Sequence, residues 1–316
     1  MEFRTELKPE PFKNKINYKH KLLFLGSCFA ENISRYFEYY RFQVNTNPFG
    51  ILYHPLAIKK IVDVALDSDY QPEEQSFQHG ELWSNFDAHS CLSHLDKKQL
   101  ISNLNIAQQQ THKALKESDF IFITLGTAWV YKHLANNTIV NNCHKLPQTQ
   151  FEKQLMKLED VEKGLHETLE SIQQINPDVQ IIFTLSPVRH LKDGFVENQY
   201  SKSTLYLGIQ NTIEHFHNLH YFQSYELLLD DLRDYRFYDS DHVHPNRLAT
   251  DYIWSKLKDT FLTEETLKLI KQIEAINKRL DHRFFNPKSK DSLAFKTETE
   301  NIIDEIKKEY PYINFK

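Results

Sequence analysis

The sequence predicts an α/β protein of three layers, in which helices cover both faces of a mainly parallel sheet. Short continuous apolar runs at residues 22–25, 120–125 and 179–185 each stop at a glycine or serine turn, as strands buried on two faces do. Segments with helical spacing of apolar residues lie between these runs. Strands that alternate with helices favour the crossover connections of a parallel sheet.

The first run ends at Gly26, and the chain then changes to helical spacing. Helices are predicted over residues 31–37, 100–117, 151–176 and 203–218. The third of these meets a stop signal at Asn176-Pro177. A fourth apolar run at residues 220–224 completes the alternation of strand and helix.

The last part of the chain has a different character. From Thr263 onward, charged and aliphatic residues alternate with helical spacing as far as Asn286-Pro287, where a helix is expected to stop. We therefore expect one main domain over residues 1–262 and a helical C-terminal appendage over residues 263–316.

Composition indicates a globular protein and argues against several classes. With 40% apolar and 26% charged residues, 316 positions are enough for a full core. No stretch approaches the roughly 20 consecutive apolar residues that cross a bilayer, and the N-terminal segment carries too many charges for an export signal. A net charge of −5 argues against attraction to phosphate backbones. We expect neither nucleic acid nor a membrane as partner, and the sequence leaves the oligomeric state open.

The three cysteines, Cys28, Cys91 and Cys143, are an odd number without CxxC spacing. This pattern argues against both a disulfide framework and a structural zinc site. A reducing compartment fits such cysteines, so a cytoplasmic location is expected. We also expect no metal and no organic cofactor.

Candidate functional residues follow the apolar runs, because ligands of open α/β sheets bind beyond the carboxyl ends of the strands. Four segments meet this criterion: Gly26-Ser27-Cys28-Phe29-Ala30, Asn47-Pro48-Phe49-Gly50, Gly126-Thr127-Ala128-Trp129, and the stretch from Tyr238 to Pro245. They are the first places to look for a nucleophile and a base.

Ser27 and His244 form the predicted nucleophile and base. A serine on a strand-to-helix turn is exposed near the positive end of a helix dipole, with its own backbone N–H free to face a developing oxyanion. Asp241 lies three residues before His244, close enough for its carboxylate to accept the imidazole Nδ1–H and direct Nε2 elsewhere. Asn246 is expected to cap the helix that follows and to fix this loop.

Ser27 and Cys28 each have an alternative interpretation. A serine at this position is also typical of a structural helix cap. Cys28 has a thiol that is in principle a nucleophile, but its place after the turn favours a buried, inert cysteine.

Asp239 and His242 compete with Asp241 and His244 for the same roles, and the four side chains together also suggest a set of metal ligands. The spacing favours Asp241 with His244 as the active pair. Near neighbours in one loop rarely converge on one ion, so the metal interpretation is the weaker one.

The order of serine, aspartate and histidine, with the last two three positions apart, resembles the SGNH (GDSL-like) hydrolase superfamily. More closely, Gly26-Ser27-Cys28-Phe29-Ala30 is similar to the signature that names the GSCFA family within it. Other segments similar to that family's blocks are Thr124 to Ala128, Asn142 to Lys145, Ser186 to His190, Ser224 to Glu226, Asp231 to Tyr238 and Val243 to Pro245. The resemblance spans roughly residues 20–260.

The resemblance implies a flavodoxin-like three-layer fold and the hydrolysis of an ester through an acyl-enzyme on Ser27. Asp241 and His244 would complete the triad. The expected substrate is an acyl or acetyl ester of a small molecule or a sugar.

The resemblance also suggests an oxyanion hole made of the backbone N–H groups of Ser27 and Gly50. The superfamily usually adds an asparagine side chain in its third block, and Ala128 stands there instead. Loss of one such donor costs about 3 kcal/mol of transition-state stabilisation. Candidates to replace it are Thr127, Asn142 and His89.

Four residues near these blocks are predicted to contact the substrate: His89, Trp129, His144 and Arg189. His89 ends an aromatic segment that is typical either of a cleft wall or of core. His144 lies in a loop that either feeds the site or packs on the surface. Arg189 and the neighbouring His190 follow a strand end and suit an anionic or hydroxylated group.

A binding module for a glycan or peptide is the rival function. In that case the altered third block reflects the loss of catalytic turnover. An acyltransferase is a third possibility, since it shares the triad. The surroundings of Ala128 distinguish the hydrolase from the binding module. A side chain from elsewhere in the chain that takes the place of the missing asparagine favours the enzyme. An empty corner, or one filled by Trp129, favours the binding module.

Overall fold

The computed structural model describes residues 4–315. Its strands are β1 (Lys21–Gly26), β2 (Gln43–Thr46), β3 (Ser76–His79), β4 (Leu82–Asn85), β5 (Phe120–Leu125), β6 (Trp129–His133), β7 (Thr138–Val140), β8 (Phe151–Leu155), β9 (Gln180–Leu185) and β10 (Leu219–Tyr221). Its helices are α1 (Cys28–Tyr39), α2 (Pro55–Leu66), α3 (Lys97–Glu117), α4 (Leu158–Ile175), α5 (Phe195–His215), α6 (Ser224–Glu226), α7 (Arg247–Phe261), α8 (Glu264–Leu280) and α9 (Lys290–Glu309).

Five parallel strands form the central sheet in the order β10-β9-β5-β1-β2. The direction of winding changes between β1 and β5, because β2 lies to one side of β1 and the later strands follow on the other side. A crevice opens at such a switch point beyond the carboxyl ends of the strands. Gly26, the last residue of β1, lies opposite Thr124 of β5, so the turns after both strands meet there.

Alternate residues of the central strands pack into two different cores, as the two faces of a buried sheet require. On one face, Leu23, Leu25 and Ile123 join a cluster with α2, α3, α4 and α5. On the other face, Leu22 and Phe24 join a cluster with α1, α7, α8 and α9. The predicted three-layer α/β/α fold is confirmed.

The predicted helix over residues 151–176 is wrong in its first part. Residues 151–155 form β8, which pairs antiparallel with β6 in a small sheet of order β7-β6-β8. The helix begins only at Leu158, where Glu159 and Asp160 lie in the first turn and interact favourably with the helix dipole. The backbone of β6 is the hydrogen-bonding partner of β8, and no periodicity within residues 151–155 predicts this pairing.

The C-terminal helices pack against the main body of the protein. Ile273 of α8 and Ile306 of α9 belong to the same apolar cluster as β1. Asn286-Pro287 lies between the two helices, as expected. The division of the chain at residue 262 stays a prediction. Within residues 4–315, no helix combines the length and apolar character that a membrane crossing needs.

Candidate active site

Asp241 and His244 lie together in the loop before α7. The Oδ2 of Asp241 lies 2.6 Å from the Nδ1 of His244, and its Oδ1 accepts the backbone N–H groups of Val243 at 2.8 Å and His244 at 3.0 Å. These hydrogen bonds, led by the backbone N–H of His244, hold the pKa of the Asp241 carboxyl well below its usual range. An ionised carboxylate accepts the Nδ1–H, so Nε2 is left to take a proton. The side chain of His244 is 43% exposed and that of Asp241 is 48% exposed, so both lie at the protein surface.

Asp239 and His242, the competing pair, shape this loop through their backbone. The N–H of His242 donates to the Asp239 carbonyl at 2.9 Å, and the N–H of Asp239 donates to the His244 carbonyl at 2.8 Å. His242 adopts a left-handed conformation with φ 56°. In the part of the chain that the structure describes, residues 4–315, no three His, Cys, Asp or Glu side chains converge on a possible metal position.

Asn246 fixes the loop to the helix that follows. Its Oδ1 accepts the Ala249 N–H at 3.1 Å, which caps α7 as predicted. Its Nδ2 donates to the Arg236 carbonyl at 2.7 Å and the Tyr238 carbonyl at 3.2 Å. One side chain thus holds both ends of the segment that carries Asp241 and His244.

Arg189 holds the loop from the sheet side. It follows β9, and its N–H donates to the Val243 carbonyl at 3.2 Å. Its guanidinium donates to the His242 carbonyl and lies 4.4 Å from the centre of the Tyr238 ring. These contacts direct the guanidinium to the loop that carries Asp241 and His244. Its predicted contact with substrate stays a prediction.

The turn after β1 depends on Gly26 and Asn47. Gly26 has φ +131°, and a Cβ there would lie 2.1 Å from the Thr124 carbonyl oxygen, so only glycine fits. Asn47 accepts the Gly26 N–H at 2.8 Å and donates to the Gly26 carbonyl at 3.1 Å. These contacts fix where the next two residues, Ser27 and Cys28, leave the sheet.

Ser27 is buried, although the sequence predicts an exposed serine with a free backbone N–H. Its exposed fraction is 1%. Its N–H donates to the Thr124 carbonyl at 3.1 Å, since the residue extends the pairing of β1 with β5. Its Oγ accepts the Phe29 N–H at 3.3 Å as the N-cap of α1. The Ser27 N–H therefore already has a partner inside the protein, and its part in an oxyanion hole stays a prediction.

The other predicted oxyanion donors also have partners inside the protein. The N–H of Gly50 donates to the Asn47 carbonyl at 2.6 Å within a turn. The N–H of Thr127 donates to the Tyr53 carbonyl at 3.0 Å, and its hydroxyl lies 3.0 Å from the hydroxyl of Ser201. Thr127 thus holds the third block in place, and Gly50 serves the geometry of its turn.

Asn142 belongs to the loop that bears His144. Its Oδ1 accepts the His144 N–H at 2.8 Å, and its own N–H donates to the Phe86 carbonyl at 3.3 Å. His144 is buried, and its Nε2 lies 2.8 Å from the Asn85 carbonyl. Burial lowers the pKa of His144. Both residues have structural contacts here, and their roles at the site stay predictions.

His89 lies beside Gly50, and Trp129 faces another direction. A Cβ on Gly50 would meet the Cβ of His89 at 2.3 Å, so this glycine allows the close approach of the histidine. The indole N–H of Trp129 donates to the Glu197 carbonyl at 3.4 Å, and Lys153 lies 4.3 Å from its ring centre. The structure thus brings His89 near the turns of the site and points Trp129 toward α5 and β8.

Lys202 is a residue of the site that the sequence does not reveal. Its ammonium is buried and donates to the Gly126 carbonyl at 2.7 Å and the Ser186 carbonyl at 2.6 Å, which lie just beyond β5 and β9. Burial lowers its pKa to about 7. In the sequence it is one lysine among polar residues of a helix, and no motif marks it.

His190 fills the corner next to Gly126. A Cβ on Gly126 would lie 3.4 Å from the Nε2 of His190 and 3.4 Å from the Cβ of Ser27. Among the described residues this buried Nε2 has no hydrogen-bond partner. Burial, followed by the charge of Lys202, lowers the pKa of His190 to about 4, so the ring is neutral at physiological pH.

Ala128 is fully buried, and its N–H donates to the Ser201 hydroxyl at 2.7 Å. The methyl group offers no donor where an asparagine is usual. The Nε2 of His190 is one polar atom that lies beside the third-block glycine, and the indole of Trp129 instead contacts Glu197.

Comparison with solved structures finds distant similarity to esterases. A carbohydrate esterase family 3 protein from Talaromyces cellulolyticus is 11% identical, with a TM-score of 0.27 over 50% of this chain and 60% of its own. A family 3 carbohydrate esterase from Clostridium thermocellum is 11% identical, with a TM-score of 0.34 over 80% of this chain and 98% of its own. An acetyl xylan esterase from the rumen bacterium Butyrivibrio proteoclasticus is 12% identical, with a TM-score of 0.38 over 78% of this chain and 65% of its own. Likeness at this level assigns no function.

Comparison with protein families gives a direct answer. No curated protein matches the chain. A model described as the C-terminal domain of GSCFA domain proteins matches residues 273–316. The model of the GSCFA family matches residues 21–257, which include the turn after β1 and the loop with Asp241 and His244. The chain belongs to the GSCFA family.

Proposed function

We propose that this protein hydrolyses an acyl or acetyl ester of a small molecule or a sugar through an acyl-enzyme. The observation that carries the proposal is the pair of Asp241 and His244, joined at 2.6 Å and accessible at the surface. Arg189, which follows β9, holds their loop at the carboxyl edge of the sheet. The Gly26-Ser27-Cys28 turn leaves β1 at the same edge, beside the switch point. The resemblance of this turn to the SGNH hydrolase signature supports the same function.

His244 is the proposed base in both halves of the reaction. A nucleophile on the turn attacks the ester carbonyl carbon while Nε2 of His244 accepts its proton. The proton then passes to the departing alcohol, and Asp241 stabilises the imidazolium between these steps. Water releases the acyl group by the same route in reverse. The sequence predicts Ser27 as the nucleophile of this turn.

His190 favours an enzyme over a binding module. A neutral imidazole in place of the missing asparagine is a possible hydrogen-bond donor to a developing oxyanion, and His190 Nε2 lies next to Gly126 and Ser27. In a binding module without catalytic turnover, a buried polar atom that lacks a hydrogen-bond partner in this corner would have no function. We therefore assign the role of the third-block asparagine to His190.

The cysteines bear on where the enzyme works. Cys28, Cys91 and Cys143 are all unpaired. A reducing compartment keeps them as thiols, and we propose that the protein acts in the cytoplasm.

Hydrolysis of p-nitrophenyl acetate tests the proposal. We expect His244→Ala to lower kcat/KM by at least about 100-fold, because general-base catalysis contributes roughly that much. His242→Asn is the matched control, since it changes the neighbouring histidine and asparagine tolerates its left-handed backbone. Equal rates for wild type and His244→Ala, both shown to be folded by circular dichroism, would refute the hydrolase function.

A further inference from the structure

Three buried polar residues, at positions 198, 201 and 202, lie on one face of α5. Side chains three and four positions apart share a face of a helix. The Oδ1 of Asn198 accepts the backbone N–H of His190 at 2.8 Å, in the loop after β9. The hydroxyl of Ser201 accepts the N–H of Ala128 at 2.7 Å, in the loop after β5. This face therefore holds the loops that follow two neighbouring strands of the sheet.

Lys202 is the third residue of this face, and it carries a charge. Its exposed fraction is 1%, and its ammonium donates to the Gly126 carbonyl at 2.7 Å and the Ser186 carbonyl at 2.6 Å. Its Nζ also lies 5.9 Å from the centre of the Tyr225 ring. Among residues 4–315, no carboxylate forms an ion pair with this lysine. Buried charges in proteins are normally paired, so the positive charge here lacks its usual partner.

The two hydrogen bonds alone do not explain why this residue is a lysine. A neutral amide or hydroxyl group can also donate to carbonyl oxygens, without the loss of stability that comes from burying an ammonium. Burial lowers the pKa of Lys202 to about 7, which shows that the interior disfavours the charged form. Ionisable groups that are shifted this far cluster at functional sites.

The carbonyl group that Lys202 holds belongs to a residue beside the turn after β1. A Cβ on Gly126 would lie 3.4 Å from the Cβ of Ser27 and 3.4 Å from the Nε2 of His190. Burial, followed by the charge of Lys202, lowers the pKa of His190 to about 4. The ammonium therefore acts electrostatically at the place where the predicted nucleophile and the assigned oxyanion donor lie together.

We propose that the ammonium of Lys202 stabilises the oxyanion that forms when the ester carbonyl is attacked, and that the buried polar face of α5 positions the oxyanion hole. The inference rests on the proposed function, because it assigns a residue to the transition state of the same reaction. The charge that develops on the carbonyl oxygen is negative, and a fixed positive charge nearby stabilises it without reorganisation. Lys202 contacts Gly126 and Ser186 and not the ester, so it is a positioning residue that also acts through its charge.

The proposal predicts a loss of activity at alkaline pH. The reaction needs the ammonium form, which is lost as pH rises above the pKa of about 7. The groups that face Lys202 from other elements keep their charge between pH 7 and pH 9. Burial raises the pKa of Cys28 in α1 and of Tyr225 in α6, and His190 is already neutral. We expect kcat/KM to fall by about 10-fold over this range, since one charge near an oxyanion contributes about that much.

Two substitutions separate the charge from the hydrogen bonds. Lys202→Gln removes the charge and keeps a donor for carbonyl groups, whereas Lys202→Met removes both. Hydrolysis of p-nitrophenyl acetate is measured from pH 6 to pH 9.5, at a wavelength where the released phenol and phenolate absorb equally. We expect both variants to lower kcat/KM at pH 6.5 by about 10-fold and to lose the fall above pH 7. Lys98→Gln, on the exposed side of α3, is the matched control and should keep the rate and the pH profile of wild type.

The outcomes separate this inference from the proposed function. Equal rates for wild type and His244→Ala overturn both. If His244→Ala is inactive and Lys202→Gln keeps the rate and pH profile of wild type, the inference is overturned and the hydrolase stands. A fall above pH 7 that persists in Lys202→Gln has the same meaning. A wild-type kcat/KM that stays level between pH 7 and pH 9 also overturns the inference, and this measurement needs no variant that folds.

Discussion

The carboxylate of Asp241 lies 2.6 Å from the Nδ1 of His244 and also accepts the backbone N–H of the same histidine at 3.0 Å. One side chain therefore fixes both the ring and the main chain of the proposed base. The arrangement is local, since it needs three residues of separation and a loop that turns back on itself. Changes to Asp241 should therefore act directly on His244.

Asp241→Asn should lower kcat by about 100-fold or more and leave KM nearly unchanged. An asparagine keeps the size of the side chain, but it cannot stabilise the imidazolium and can turn its amide N–H toward Nδ1. Steady-state kinetics with p-nitrophenyl acetate measures the effect. Asp239→Asn in the same loop is the control, and equal losses in the two variants would contradict a special role for Asp241.

Arg189→Leu should lower kcat by about 10-fold, because small misplacement of a catalytic group is enough for such losses. The change removes the donor to the His242 carbonyl and the contact with the Tyr238 ring. Loosening of the loop should also raise its susceptibility to limited proteolysis. Arg236→Leu serves as control, since its guanidinium pairs with Asp234 on the surface. A rise in KM without a change in kcat or proteolysis would instead support direct binding of substrate by Arg189.

Lys202 should make the stability of the protein depend on pH. Burial lowers its pKa to about 7 from the ordinary value of 10.5. Between these two values the unfolded chain binds the proton and the folded chain does not, so the free energy of unfolding rises with pH over that window. Urea denaturation at pH 7 and pH 9.5 should show wild type gaining stability relative to Lys202→Met. Lys98→Met, on the exposed side of α3, should show no such divergence, and a parallel response of Lys202→Met and wild type would contradict the assignment.

Gly26→Ala should destabilise the protein by about 3 kcal/mol, since it combines a strained backbone with a steric clash. The added Cβ would lie 2.1 Å from the Thr124 carbonyl oxygen at a φ of +131°. Gly80→Ala is the control, because φ there is also positive but no atom lies within 4 Å. It should cost only about 1 kcal/mol. Similar urea midpoints for the two variants would show that the clash at Gly26 is relieved at low cost.

Much of the fold can be predicted from short segments of the sequence. The apolar runs at residues 22–25, 120–125 and 179–185 predict β1, β5 and β9, because strands buried on both faces need apolar side chains at every position. The pair of Asp241 and His244 and the cap at Asn246 are equally local, since each joins residues three positions apart. Patterns of this range can be recognised without knowing what lies nearby in space.

The interior of the site depends on contacts between distant parts of the chain. Lys202 lies 76 residues from Gly126 in sequence and 16 from Ser186, and it becomes a buried cation only when α5 packs under the ends of β5 and β9. In the same way, residues 151–155 become a strand because β6 offers a backbone partner. Such partners leave no mark in the local sequence.

The sequence by itself determined the layers, the family signature and the aspartate-histidine pair. Only the tertiary structure decided that Ser27 is buried, and that the Nε2 of His190 lies beside Gly126. The physical reason is that side-chain exposure follows from the packing of a whole turn against its neighbours.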